Sequence, residues 1–288
     1  MSSSVSCLIL QSHTQVRFPG LLPICGGQRK RNVWDSIAQR MLSISRKALQ
    51  NDIMNKLKVS LEDLLDAGAH FGHQTKRWNP KMEEYIYGSE NGVHIFDLTK
   101  TKPLIEEALE FLTKSAKEGK TILLLGTKKQ IKEKVKEVAE EIGVPYVNER
   151  WLGGTVSNFG QIKKSLKKME EMRENMASGG YAKFTKKERL LIDREITRLE
   201  RFFGGVETLE KVPDVLFVID TKREASAVRE ANAGHVTVVG IVDSNSDPDA
   251  IDYPIPMNDD ASKALEYVLG LVKEAILEGK SKLKTNNQ

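Results

Sequence analysis

Residues 121–143 read TILLLGTKKQIKEKVKEVAEEIG, and the architecture of the chain can be built up from them. The first part is an unbroken apolar run ending at Gly126. A strand with one wet face alternates apolar and polar side chains, whereas a strand covered on both faces does not. The second part sets Ile131, Val135, Val138 and Ile142 at spacings of 4, 3 and 4, one apolar face of a helix, and Gly143 closes it. A doubly buried strand feeding an amphipathic helix is the repeating unit of a parallel sheet.

The same grammar recurs on either side. Upstream, 101–119 predict an amphipathic helix, with Pro103 early and Gly119 at its end. Downstream, PYVNER (145–150) reads as a strand and DVLFVID (214–220) as a second buried strand. A helix follows over 222–234, a strand over VTVVGIVD (236–243), and a long final helix over 259–280. This alternation predicts an α/β fold with a parallel sheet and helices on both faces. Nearer the N-terminus, SLEDLLDAG (60–68) offers Ser60 as a helix cap and Gly68 as a stop. EYIYG (84–88) and VHIFD (93–97) read as short strands joined by a hairpin loop over 89–92.

One segment breaks the rhythm. Residues 160–203 contain no strand pattern but two helices around SGG (178–180). Ile162, Leu166, Met169 and Met176 keep spacings of 4, 3 and 7, and Ile192, Ile196, Leu199 and Phe203 keep 4, 3 and 4. These are heptad spacings, and Thr185 with Glu188 makes a capping box. The reading is an antiparallel coiled-coil hairpin inserted between two parts of the α/β body, 54–159 and 204–288. It carries twelve Lys/Arg against seven Asp/Glu, and Lys163, Lys164, Lys167 and Lys168 cluster at its base. Such lysines can serve as an ordinary solvated face or meet a phosphate backbone.

The chain's 288 residues, 40% hydrophobic and 29% charged, have an ordinary globular composition. The longest apolar run, 122–125, is far too short to cross a bilayer. Cys7 and Cys25 both lie near the N-terminus, so the body has no disulfide framework, which fits a reducing compartment. The net charge of +4 is uneven: residues 1–53 carry seven bases and two acids, leaving 37 bases and 38 acids in 54–288. Nucleic-acid binding by the body therefore has to come from local patches. Residues 1–53, rich in Ser and Arg, are foreign to the rest. They read as an unstructured extension upstream of initiation at Met54, or as an organellar transit peptide. The extension is the preferred reading, because the sequence from Met54 onward looks complete.

Four stretches bear on chemistry. HFGHQTKRWNPKM (70–82) sets His70 and His73 three apart, followed by Lys76, Arg77, Trp78 and Lys81. HxxH alone does not make a zinc site. GTKKQ (126–130) places Lys128 and Lys129 between a strand and a helix, where they could hold a phosphate, but lacks the upstream glycine of a Walker loop. RWLGGTVSN (150–158) combines Arg150 and Trp151 with paired glycines, a mixture found in plain turns and on RNA contact surfaces alike. Asp220 and Asp243 fall at strand ends, with Asp247, Asp249, Asp259 and Asp260 nearby in sequence. The strand ends of an open α/β sheet form a ligand crevice, so these acids admit an enzyme acting on a phosphorylated small molecule. The turn-forming character of SNSDPD and NDDA supports plain capping instead.

Several stretches occur together in a set order: AGAHFGHQTKRWNPKM, VHIFDLTKT, LLLGTKKQ, NERWLGGTVSN, LFVID, EANAG and GIVDSNSDPDAIDYPIPMNDDA. Over essentially all of 54–288 the chain resembles the bacterial type of ribosomal small-subunit protein two, with RWLGGT and NSDPD as the specific signatures. Residues 1–53 fall outside the resemblance. It implies a flavodoxin-like α/β body with an inserted coiled-coil hairpin. It also implies a non-catalytic structural component of the small ribosomal subunit, binding ribosomal RNA and neighbouring small-subunit proteins, including the large mRNA-binding protein one. On that reading the protein is cytoplasmic and ribosome-bound, with no membrane association and no required cofactor; an organellar ribosome is the alternative if 1–53 is a transit peptide. The RNA-binding candidates are Lys76, Arg77, Trp78, Lys81, Lys128, Lys129, Arg150, Trp151, Lys163, Lys164, Lys167 and Lys168. A family-type fold would also let His73 meet Asp243 and Asp259 at the carboxyl edge of the sheet, where they could hold a structural zinc or magnesium ion. His70 is expected to pack or hydrogen-bond inside.

Overall fold

The structure, a computed structural model, describes residues 59–286, and the readings made for 1–53 and for initiation at Met54 lie outside the described residues. Order begins with helix α1 (Leu61–Asp66), capped by the Ser60 hydroxyl, which accepts from the Asp63 N–H at 3.2 Å. A small antiparallel sheet follows, of strands β1 (Phe71–Gln74), β2 (Ile86–Glu90) and β3 (Val93–Phe96), in the order β1-β3-β2. The β2–β3 connection is shorter than expected. Ser89 and Glu90 pair with His94 and Val93, so the turn is only Asn91-Gly92, both left-handed at φ 52 and 79. Two such residues form the turn whose twist matches a hairpin. Strand β1 was not expected, because FGHQ has neither alternation nor β-branched residues.

The body is a five-stranded, wholly parallel sheet built from β4 (Ile122–Leu125), β5 (Tyr146–Val147), β6 (Val215–Val218), β7 (Thr237–Val242) and β8 (Tyr253–Pro256). Its strand order is β5-β4-β6-β7-β8, the flavodoxin-like order. The continuous apolar runs are split by the pleat. Ile122, Leu124, Val215 and Phe217 face one core; Leu123, Leu125, Leu216 and Val218 face the other. The first core is closed by helices α2 (Leu98–Lys117), α3 (Lys132–Ile142) and α7 (Ser262–Asn286), through Ile105, Leu112, Val135, Val138, Leu265 and Val268. The second is closed by α6 (Ala225–Ala233) and by residues of the hairpin. Truncating Phe217, fully buried in the first core, would cost about 3–5 kcal/mol. The edge strand β8 escaped the sequence reading because YPIP carries two prolines, which only an edge tolerates.

The hairpin consists of α4 (Phe159–Ala177) and α5 (Lys186–Phe203). Ile162, Met169, Ile196 and Phe203 are buried in the seam, and the Thr185–Glu188 capping box forms in full. Arg201 ties the hairpin to the body through Glu149 at 2.7 Å.

Two features position the site. After β4 the chain moves to β5 on one side, then returns to β6 on the other, so a crevice opens at the carboxyl ends of β4 and β6. The small sheet abuts the carboxyl end of β7: the Asn79 N–H donates to the Ser244 carbonyl at 2.7 Å, and the His73 N–H to the Ser244 hydroxyl at 2.9 Å.

Candidate nucleic-acid interface and metal centre

The cations singled out in the sequence divide into two groups. Lys76 and Arg77, on a 3-10 turn after β1, point to solvent, as do Lys129 and Arg150. Lys163, Lys164, Lys167 and Lys168 are exposed along α4, where Lys167 has only Glu171 nearby, at 3.9 Å. The others are engaged with the protein's own groups, Lys81 at the surface and Lys128 in the interior. Lys81 is bound by Asp247 at 3.0 Å and Asp249 at 2.7 Å. Trp78 lies half-buried against the His94 ring at 5.1 Å. Lys128 is buried and turned inward, and α3 begins only at Lys132, so neither Lys128 nor Lys129 opens the helix. Gly126 serves packing rather than a phosphate, since a Cβ there would come within 2.8 Å of the Val135 side chain.

The RWLGGTVSN loop is folded around a carboxylate supplied by the chain itself. Glu230, on α6, accepts from the N–H groups of Gly154, Val156 and Ser157 at 2.9–3.0 Å, from the Ser157 hydroxyl at 3.0 Å, and from the Trp151 indole at 2.9 Å. Gly154 turns left-handed at φ 96 to aim its N–H, and a Cβ on Gly234 would strike Val156. Burial works to raise the pKa of Glu230, but these donors outweigh it and hold the carboxyl below its usual range. Trp151 is thereby buried, with its polar edge occupied, and is not presented as a stacking platform. Arg150 stays outside.

The acids at the strand ends converge on Lys128. Its ammonium lies 2.8 Å from Asp259, 2.6 Å from Asp260 and 3.5 Å from Asp220. Burial opposes its charge, but Asp259, Asp260 and Asp220 prevail and push its pKa up. Asp220 sits at a left-handed φ of 68, a conformation that side chains other than glycine rarely adopt. Next to this group, His73 Nδ1 is 3.0 Å from Asp243, which is wholly buried and also accepts from the N–H groups of His73, Ser244 and Asp259. The hydrogen bond that His73 donates to Asp243 raises the pKa of His73. Asp243 itself is held low, because burial is outweighed by its bond to His73. Asp259 is pushed up to about 7, by burial first and then by Asp243 and Asp220.

His73, Asp243 and Asp259 each offer one ligand atom, and these atoms lie within 4.8 Å of one another. Two ligand bonds of about 2.0–2.2 Å reach at most about 4.4 Å, so the ligand atoms would draw together around a shared ion. One nitrogen and two carboxylate oxygens suit zinc, or a harder divalent ion, with coordination positions left over. An excess of carboxylate around Asp259 is consistent with a further cation there. His70 takes no part: its ring lies on Phe71 at 4.0 Å, and its buried Nδ1 has no hydrogen-bond partner.

Comparison with known proteins places this geometry in a family. The family described as Ribosomal protein S2 matches residues 64–279. The chain belongs to the ribosomal protein S2 family. It is 46% identical over 222 residues to the small ribosomal subunit protein uS2 of Coprothermobacter proteolyticus, covering 77% of this chain and 83% of that one. It is 48% identical to the uS2 proteins of Dictyoglomus thermophilum and of Nitratiruptor sp., again over 77% of this chain, and over 90% and 83% of theirs.

In this S2-family chain the sequence reading missed two residues that line the crevice, Arg223 and Glu224, and Glu230, which holds the loop contributing Trp151 to it. All lie in the segment read simply as a helix, and their partners Thr127 and Trp151 are 96 and 79 positions away. No local signal marks them. A glutamate on a helix facing a glycine-rich loop becomes visible only when the two are brought together. Among the described residues no helix of this S2-family chain is long and apolar enough to cross a membrane.

Proposed function

We propose that this protein is a structural constituent of the small ribosomal subunit. It holds ribosomal RNA through positional contacts to phosphate and sugar and docks neighbouring small-subunit proteins, among them the large mRNA-binding protein one. It works without catalysis, as part of cytoplasmic ribosomes. The observation that carries the reading is membership of the S2 family over 64–279, which takes in the parallel sheet and the hairpin. The charge geometry supports it. Lys163, Lys164, Lys167 and Lys168 are exposed along one helix, and Lys76, Arg77, Lys129 and Arg150 are exposed on the body. Scattered outward cations suit backbone contacts rather than base readout. The strand-end acids, by contrast, are paired with Lys128 and His73, which argues against the phosphorylated-substrate enzyme.

The His73–Asp243–Asp259 group is proposed to hold a structural divalent ion, zinc before magnesium because of the imidazole donor. It would stitch the small sheet to the carboxyl ends of the parallel sheet.

The test is sucrose-gradient fractionation of cell lysate, with mass spectrometry of the chain across the fractions. Co-migration with small subunits, lost as they are dismantled, is expected. A chain found only at the top of the gradient overturns the reading. The N-terminal peptide from the subunit fraction reports whether the mature chain starts near Met54.

A further inference from the structure

At the switch point between β4 and β6 lies a cleft of about 520 Å³, lined by Thr127, Arg150, Trp151, Gly153, Arg223 and Glu224 among others. Its composition is unusual for a solvated groove. Glu224 is only 7% exposed, and the cation it pairs with among the described residues, the Arg223 Nε, is 3.9 Å away with the Thr127 hydroxyl between. That hydroxyl accepts from Arg223 Nε at 3.1 Å and donates to Glu224 Oε1. Oε2 accepts no hydrogen bond among the described residues. Glu224 stands at the N-cap of α6 but makes no capping bond, so helix stability does not account for its burial. A buried carboxylate with a single neutral donor is costly to keep charged, and burial indeed raises its pKa. Such a group is stabilised by a ligand that brings donors of its own.

The rest of the cleft says what else that ligand carries. Arg223 is fixed at its Nε but 56% exposed, which leaves its terminal amines for an outside partner. Arg150 is exposed on the facing loop. Gly153 leaves the floor open, since a Cβ there would meet nothing within 4 Å. Cations at the mouth and an acceptor at the back fit a nucleotide. Among the four RNA bases only guanine presents two adjacent N–H donors, N1–H and N2–H, on its Watson–Crick edge. Adenine and cytosine set an acceptor beside their amino group, and uracil flanks its one N–H with carbonyls; each would turn a lone pair toward a carboxylate.

We propose that this cleft receives one unpaired guanosine of RNA, with Glu224 accepting from N1–H and N2–H and with Arg150 and Arg223 on the flanking phosphates. The inference rests on the ribosomal reading above and adds a base-specific contact to an otherwise positional interface. It is tested with the full chain and three labelled RNAs, UUUGUUU, UUUIUUU and UUUAUUU, by fluorescence anisotropy. The guanosine RNA is expected to bind about tenfold or more tighter than the adenosine RNA, the scale of one bidentate base contact. Inosine, which keeps N1–H and lacks the amino group, should fall between. Glu224→Gln should erase the ranking. Equal binding of the three RNAs by the native chain overturns the inference, and so does a ranking that survives Glu224→Gln. Because the inosine series changes only the RNA, it stands even if the variant fails to fold. The gradient separates the two levels. A native chain that co-migrates with small subunits but shows no guanosine preference loses only this inference. One absent from subunits loses the reading beneath it.

Discussion

The carboxyl edge of the parallel sheet and the helical hairpin both carry dense charge, and they use it in opposite ways. At the sheet edge Lys128 and His73 are turned inward, as is Glu230 on α6, and each meets partners within 3.0 Å. On the hairpin Lys163, Lys164, Lys167 and Lys168 face solvent, and the closest acid to any of them is at 3.9 Å. The difference teaches where each kind of charge acts. Buried charge is satisfied by the fold and is spent on holding elements together. Exposed charge contributes little to folding and remains available to a phosphate backbone. A basic residue in the sequence is therefore not yet a binding residue; its burial settles that.

The comparison can be broken most sharply at Lys128. Lys128→Ala strands Asp220 and Asp259 without their cation and should cost about 3–5 kcal/mol in urea unfolding. A cost near zero would mean that the acids relax into solvent and that the edge is no more committed than the hairpin. Glu230→Gln comes next. It removes the charge that gathers five donors from 151–157, for an expected loss of about 2–3 kcal/mol and faster amide exchange at Gly154, Val156 and Ser157. Unchanged protection would show that the loop holds itself.

The pH dependence of the metal-free protein sharpens the same contrast. Asp259 is raised in the folded state to about 7, so its contribution favours folding at low pH and is lost as pH rises through 7. His73 is also raised, and its contribution is likewise present below the unfolded value and lost as pH rises through the folded one. Asp243, held low, acts oppositely but only in the acid range, where its contribution is lost as pH falls. Thermal melts should therefore show stability declining from pH 5 to 8, by about 2–4 °C for each 1 kcal/mol. Asp259→Asn should flatten the slope. Added zinc should stabilise more at pH 8 than at pH 6, because an ion displaces those protons; a zinc effect that does not grow with pH would remove the proposed centre.

The smallest effect on folding is expected at the hairpin. Reversing Lys163, Lys164, Lys167 and Lys168 to Glu should change stability by less than about 0.5 kcal/mol and leave the circular dichroism spectrum intact. Incorporation into small subunits should nevertheless fall. Normal incorporation with an unchanged spectrum would deny the hairpin its role.

How far the molecule could be read in advance depended on the range of the signal. β4, β6 and β7 stood out as apolar runs, and the heptads of α4 and α5 and the Thr185 cap were equally plain. β1 and β8 were hidden, one by a sequence with no strand character and the other by prolines that an edge position excuses. Among site residues, Lys76, Arg77 and the hairpin lysines could be recognised as exposed cations. Lys81, Lys128 and Trp151 looked the same on paper; Lys128 and Trp151 are buried, and Lys81 is paired with surface acids.

The one-dimensional pattern was enough for the fold class, the hairpin insertion and the family, because helical and strand periodicities and capping are properties of neighbours within a few residues. Which charges are available was left to the tertiary structure. His73 reaches Asp243 across 170 positions and Lys128 reaches Asp259 across 131, and no local spacing records such a meeting. The strand order brings those pairs together, and the low polarity of the buried edge then makes each meeting energetically binding.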